Sequence, residues 1–152
     1  MARAAERRLN EFNAQGVANT AWACATASHR DEKLFAALAR VAERRLSEFK
    51  PQELGNTAWA CATANHRDLK LFAALARAAE RRLNEFNSQD VASTAWAFAT
   101  ANHRDEKLFA ALARAAEQRL SEFNAQGLAN TAWAFATVNH RDEKLFVALV
   151  RA

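Results

Sequence analysis

The tripeptide His-Arg-Asp occurs four times, at residues 29–31, 66–68, 103–105 and 140–142. One copy would invite comparison with the catalytic loop of protein kinases, where the Asp accepts the proton of the attacking hydroxyl. No Gly-rich loop, strand lysine or Asp-Phe-Gly accompanies any of the four, so that chemistry is excluded. A zinc site fails on spacing. Equivalent positions of stacked helices stand about 10 Å apart, whereas zinc ligands sit about 2 Å from the metal. His29, His66, His103 and His140 therefore read as exposed turn histidines. There is no Cys-x-x-Cys pair, Ser–His–Asp arrangement, pair of inward carboxylates or phosphate-cradling Gly loop. The sequence thus points to no catalytic residue, metal, cofactor or small-molecule substrate, and the expectation is that the chain is not an enzyme.

The residues left with chemistry to offer recur at fixed spacing. Trp22, Trp59, Trp96 and Trp133 stand 37 residues apart. An indole face stacks on a nucleic-acid base or packs on a neighbouring helix, and both readings stay open. Three residues before each Trp come Asn19, Asn56, Ser93 and Asn130. These side chains either hydrogen-bond between neighbouring helices or meet base edges, as in helical repeats that read one base per repeat. Each His is followed by Arg30, Arg67, Arg104 or Arg141, and then by Lys33, Lys70, Lys107 or Lys144. Such a row is either a solvated edge paired with acids such as Asp31 and Glu32, or a track for a phosphate backbone.

A fixed 37-residue period is the mark of a solenoid built from small supersecondary units. The repeating stretch reads FNAQGVANTAWACAT from Phe12, FKPQELGNTAWACAT from Phe49, FNSQDVASTAWAFAT from Phe86 and FNAQGLANTAWAFAT from Phe123. The chain has no Tyr, three Gly and one Pro. Strong helix formers dominate and no strand-like alternation appears, so the fold is expected to be all-α. Each unit is expected to hold two antiparallel helices. Helix A starts after Asn13, Lys50, Asn87 and Asn124, with Asn as N-cap and Pro51 at the first helical position. It ends near Ser28, Asn65, Asn102 and Asn139, where Asn accepts a left-handed conformation.

Helix B is capped by Asp31, Asp68, Asp105 and Asp142. Its core stripe is Leu34, Phe35, Leu38, Ala42, Leu46 and Phe49, and Lys33, Ala37, Arg40, Glu43, Arg44 and Ser47 face solvent. On helix A, Val17, Ala21, Cys24 and Ala25 share one face, Gln15, Asn19, Ala23 and Thr26 the opposite one, and Trp22 sits at the edge of the first. The domain is a single helical-repeat array, 1–152, with units 12–48, 49–85, 86–122 and 123–152 and a partial helix at 2–11. Neither terminal unit is distinctly polar, which suggests a fragment of a longer array, an end-to-end assembling unit or a subunit capped by partners.

The net charge of +4 arises from 21 basic and 17 acidic side chains, which permits a polyanionic partner without demanding one. No apolar run approaches the roughly 20 residues that a membrane span requires. The Arg-rich start resembles a targeting peptide, yet ARAAERRLNEF returns at Ala76–Phe86, so it reads as repeat structure. Cys24 and Cys61 share an offset with Phe98 and Phe135 and are expected to be buried, reduced thiols, because helices about 8–10 Å apart are too distant for a disulfide. Reduced thiols suit an intracellular or organellar setting.

At Phe49, Pro51, Gln52, Leu54, Asn56, Thr57, Trp59 and Ala60 the chain resembles the octotricopeptide repeat family, whose hallmark is similar to Pro-Gln-x-Leu-x-Asn-Thr-x-Trp-Ala. The other units match most of that motif, with Ala14, Ser88 and Ala125 in place of Pro51. The resemblance implies an α-solenoid that binds single-stranded RNA in chloroplasts or mitochondria, on the concave helix-A face. Asn19, Asn56, Ser93 and Asn130 would then face bases, and the Arg30 and Lys33 rows would face phosphates. The alternative is a protein–protein interaction solenoid serving as a structural subunit or scaffold of a larger complex.

Overall fold

The computed structural model describes residues 13–26, 32–63, 69–103, 105–138, 147, 150 and 151. Seven α-helices are described: α1 Ala14–Thr26, α2 Glu32–Arg44, α3 Pro51–Thr63, α4 Leu69–Arg81, α5 Ser88–Thr100, α6 Glu106–Gln118 and α7 Ala125–Thr137. Short 3₁₀ turns, Leu46–Glu48, Leu83–Glu85 and Leu120–Glu122, close the second helix of each pair. The fold is an α-solenoid of helix pairs. The odd-numbered helices form one layer (A) and the even-numbered helices the other (B).

Local chemistry fixes where the A helices begin. The Oδ1 of Asn13 accepts from the amide of Gly16 at 2.8 Å, and that of Asn124 from Gly127 at 2.7 Å. Asn87 and Asp90 form a full capping box. Lys50 has no capping oxygen; there Glu53 reaches back to the Lys50 amide at 2.8 Å, ahead of Pro51. Helix α5 ends as expected: Asn102 adopts φ 57°. The amide of His103 then bonds the Phe98 carbonyl and that of Asn102 the Ala99 carbonyl, closing a Schellman turn. Asp105 caps α6 through the Leu108 amide at 3.0 Å. Asp31, Asp68 and Asp142, and the other three Ser/Asn ends, lie outside the described residues.

The A helices pack on one another more extensively than the B helices do, and more than A packs on B. Residue size is the reason, since Gly55, Ala58, Thr94, Ala95 and Thr131 are buried and let backbones approach closely. Between the layers, Phe49, Phe72, Phe86, Phe98, Phe109 and Phe135 form a fully buried aromatic spine with Leu71, Leu75, Leu108 and Leu112. Phe98 meets Phe72, and Phe135 meets Phe109, edge to face at 5.3 Å.

Two expectations for helix B are corrected. The α-helix stops at Arg44, Arg81 and Gln118, and a 3₁₀ turn carries the chain on to Phe49, Phe86 and Phe123. The tighter turn buries Leu46 and Phe49 together and still frees the backbone for the next A helix. Ala37, assigned to the solvent face, is buried with Ala39 and Val41, since a side chain as short as alanine is readily covered. Leu38, Ala42, Leu46 and Phe49 are buried as expected; the side chains of Leu34 and Phe35 lie outside the described residues.

Candidate interaction surface

Each A helix carries a Gln, an Asn or Ser, and a Trp at i, i+4 and i+7: Gln15–Asn19–Trp22, Gln52–Asn56–Trp59, Gln89–Ser93–Trp96 and Gln126–Asn130–Trp133. At about 100° per residue these three fall on one stripe of a helix. The four glutamines and Asn19 are exposed, and Asn56, Ser93 and Asn130 are half-buried. None of the Asn, Ser or Gln side chains of this stripe hydrogen-bonds another group among the described residues.

Two notches open where neighbouring A helices meet. One, of about 320 Å³, is lined by Gln52, Gly55 and Asn56 on α3 and by Gln89 and Ser93 on α5. The next, of about 400 Å³, lies between Gln89, Ala92 and Ser93 of α5 and Gln126, Gly127 and Asn130 of α7. The structure thus gathers Asn56, Ser93 and Asn130 pairwise, one pair per junction. It also shows that they do not tie neighbouring helices together.

Carboxylates line the notches, two of them paired with arginine: Glu85 with Arg82 and Glu122 with Arg119. Glu53, Glu85 and Asp90 line the first with Lys50 as its one cation, and Glu122 is the charged residue lining the second. Burial pushes the Asp90 carboxyl above its ordinary range, against the Asn87 amide bond and the Arg119 charge, which favour the anion. The Arg82 hydrogen bond holds Glu85 below the usual carboxylate range.

The cation row lies elsewhere. Lys33, Lys70 and Lys107 are exposed in the first turns of the B helices. That is the far end of the antiparallel pair from the start of the A helices, about 20 Å away along 13 residues. Lys70 pairs with Glu43 of the preceding B helix at 3.8 Å. Arg30, Arg67, Arg104, Arg141 and Lys144 lie outside the described residues.

The tryptophans form a ladder. Trp59 stacks on Trp22 at 6.1 Å and 28°, and meets Trp96 at 6.3 Å and 31°. Trp59 therefore has an indole neighbour in each adjoining unit, stacked in the case of Trp22 and tilted in the case of Trp96. Trp59 and Trp96 also pack against the core, whereas Trp22 and Trp133 are 46% and 47% exposed. The expected packing of the indole on the core is met by Trp59 and Trp96, and the Trp–Trp contacts between units add to it.

His103 departs from the exposed-turn expectation. It is half-buried, stacked on Phe72 at 5.9 Å and set edge to face against Phe98 at 5.5 Å. Burial lowers its pKa, with Asp105 opposing. No group of His, Cys, Asp and Glu able to hold a metal occurs among the described residues. Among them, too, no helix is long and apolar enough to cross a membrane. Cys61 is buried as a reduced thiol, 3% exposed; the Cys24 side chain lies outside the described residues.

As the wheel places Gln15 beside Asn19, the glutamines of the later units join the Asn/Ser positions in the notches. One set of residues escapes a reading by periodicity. Arg45, Arg82 and Arg119 end the B helices and pair with Glu48, Glu85 and Glu122 at 3.3, 3.0 and 3.5 Å. Arg82 also donates to the Phe49 carbonyl, and Arg119 to that of Asn84 at 3.2 Å, so each strap joins successive B-helix ends. On a helical wheel these arginines read as surface.

The family model of the RNA-editing substrate-binding complex 6 protein matches residues 1–152. The chain belongs to that family. No curated protein matches it. The match corrects the resemblance to octotricopeptide repeats, which rested on one motif. Most of that motif is what any stacked A helix needs. Pro51 opens the helix, Leu54, Thr57, Ala58 and Ala60 are buried, and Trp59 stacks on Trp22.

Proposed function

We propose that this member of the family acts without catalysis, as a subunit of an RNA-editing substrate-binding complex, and that its solenoid serves there as a scaffold holding protein partners. Family membership over the whole chain supports the complex. The observation that carries the scaffold role is the Gln–Asn/Ser–Trp stripe of the A helices. It offers unbonded carboxamides and indoles beside a notch where Glu53 and Asp90 stand against Lys50, and Lys33, Lys70 and Lys107 lie outside the notches. A strand of RNA lying along Asn19, Asn56, Ser93 and Asn130 would bring its phosphates toward Glu53 and Asp90, which raises the free energy of binding.

Purification of the tagged protein from its source cells, with and without ribonuclease, tests the proposal. A defined set of polypeptides should remain after the RNA is digested. Loss of every polypeptide on digestion, together with retention of single-stranded homopolymers by the pure chain at about 150 mM salt, would replace the scaffold with an RNA-binding role.

A further inference from the structure

We propose that the Gln–Asn–Trp stripe holds an extended segment of a protein partner that carries lysine or arginine, its main chain hydrogen-bonded by the carboxamides of successive A helices. This rests on the scaffold reading above and adds the face, the conformation and the charge of what is held.

Conformation follows from hydrogen-bonding capacity. Each carboxamide has donors and acceptors, and none at Gln52, Asn56, Gln89, Gln126 or Asn130 is used within the protein. A docked helix has already spent its backbone groups internally, whereas an extended chain presents a free N–H and C=O at every residue. The spacing agrees. Adjacent A helices lie about 8–10 Å apart and an extended chain advances about 3.3 Å per residue, so each junction faces two or three residues. The notches of about 320 and 400 Å³ give the side chains room. Trp59 is stacked on Trp22 and tilted against Trp96, so the ladder leaves indole surface for an aliphatic stem.

Charge selects the segment. Arg82 pairs with Glu85 and Arg119 with Glu122, so the excess charge lies at the first notch, where Glu53 and Asp90 stand against Lys50. Cationic side chains complement that field, and a polynucleotide opposes it.

Random peptides displayed on phage and selected on the purified chain test this, with the selected consensus then synthesised and fluorescently labelled. The expected consensus is rich in Lys or Arg and free of helix-forming pattern. The double substitution Asn56→Ala/Asn130→Ala should weaken it about tenfold, the share of one or two net hydrogen bonds. Arg77→Ala on the B layer should leave binding unchanged, and oligouridylate should not displace the peptide. Alanine raises helix propensity, so the double variant should fold; Gln89→Lys, at an exposed position, gives a second reading by putting a cation into both notches. An acidic consensus, no enrichment, indifference to both variants or displacement by oligouridylate would each overturn the proposal. If the double variant still retains the complex's polypeptides after ribonuclease treatment, this inference falls and the scaffold stands. Loss of polypeptides from the unsubstituted protein removes both.

Discussion

The imidazole of His103 lies on the ring of Phe72, 5.9 Å between centroids and inclined by 26°. The two belong to successive repeats, one at the end of an A helix and the other on the preceding B helix. The Schellman turn at Asn102 directs the histidine onto Phe72 and Phe98, so a helix ending becomes part of the seal between units.

That seal is sensitive to pH. The unfolded imidazole titrates near 6.5, and burial sets the folded value lower. Within the window the unfolded chain binds more protons, so stability is complete above about 6.5 and is lost as pH falls toward the folded value. His103→Phe keeps a ring and removes the titration. The melting-temperature difference between variant and parent should move in the variant's favour from pH 8 to pH 5.5. A constant difference would show that His103 does not couple to folding; the other histidines are common to both proteins and cancel.

Arg82 joins two adjacent turns by donating to the Phe49 carbonyl while its Nε meets Glu85 at 3.0 Å. Arg82→Ala leaves that carbonyl without its charged donor and should lower stability by about 1–2 kcal/mol in urea denaturation. Arg82→Lys should recover little, because an ammonium does not span both acceptors as the planar fork does. Recovery by lysine equal to the parent would reduce the strap to a charge effect.

Local rules made the A helices legible. Their starts at Ala14, Pro51, Ser88 and Ala125 follow Asn, Lys, Asn and Asn as expected, and Asn102 takes the left-handed turn, because capping is decided within a few residues. What depends on a neighbouring unit was not legible. The wheel places Trp59 at a face edge, but only the fold shows that Trp22 and Trp96 are its ring neighbours. Ala37 is buried although its wheel position faces solvent, and the 3₁₀ turn at Leu46–Glu48 is set by joint burial of Leu46 and Phe49. For the candidate surface, period alone found the Asn/Ser row and the lysine row. It did not say that the Asn/Ser row runs near the middle of the A helices and opens onto notches between units, while the lysines start the B helices outside those notches. The family is a property of the whole chain, and one helix motif pointed to a different one.

Gly55 is buried within α3, where a methyl added to it would lie 3.5 Å from the Oγ1 of Thr94 and 3.9 Å from the Cβ of Ser93. Those are ordinary contacts. Gly55→Ala should therefore stabilise the fold by about 0.5–1 kcal/mol, by narrowing the unfolded ensemble and raising helix propensity. Gly127→Ala differs, since its methyl would stand 3.2 Å from the Asn124 oxygen that caps α7. Its gain should be smaller or reversed. Equal stabilisation at both sites, measured by chemical denaturation, would show that the cap yields without penalty.

Cys61 sits on α3 at the offset that Phe98 and Phe135 fill in later units, and its thiol is 3% exposed. A reagent that attacks thiolate must wait for the helix to open, so the reaction reports opening rather than intrinsic reactivity. In a Cys24→Ala background the native protein should react at least about 10³-fold more slowly than the same chain in denaturant, the factor a marginally stable domain supplies. Gly55→Ala, one helix turn and a half before Cys61, should slow the reaction further in proportion to the stability it adds. Labelling within tenfold of the unfolded rate would place the thiol on an open surface. Slow labelling that ignores Gly55→Ala would instead assign opening to the aromatic spine rather than to the A-helix contact.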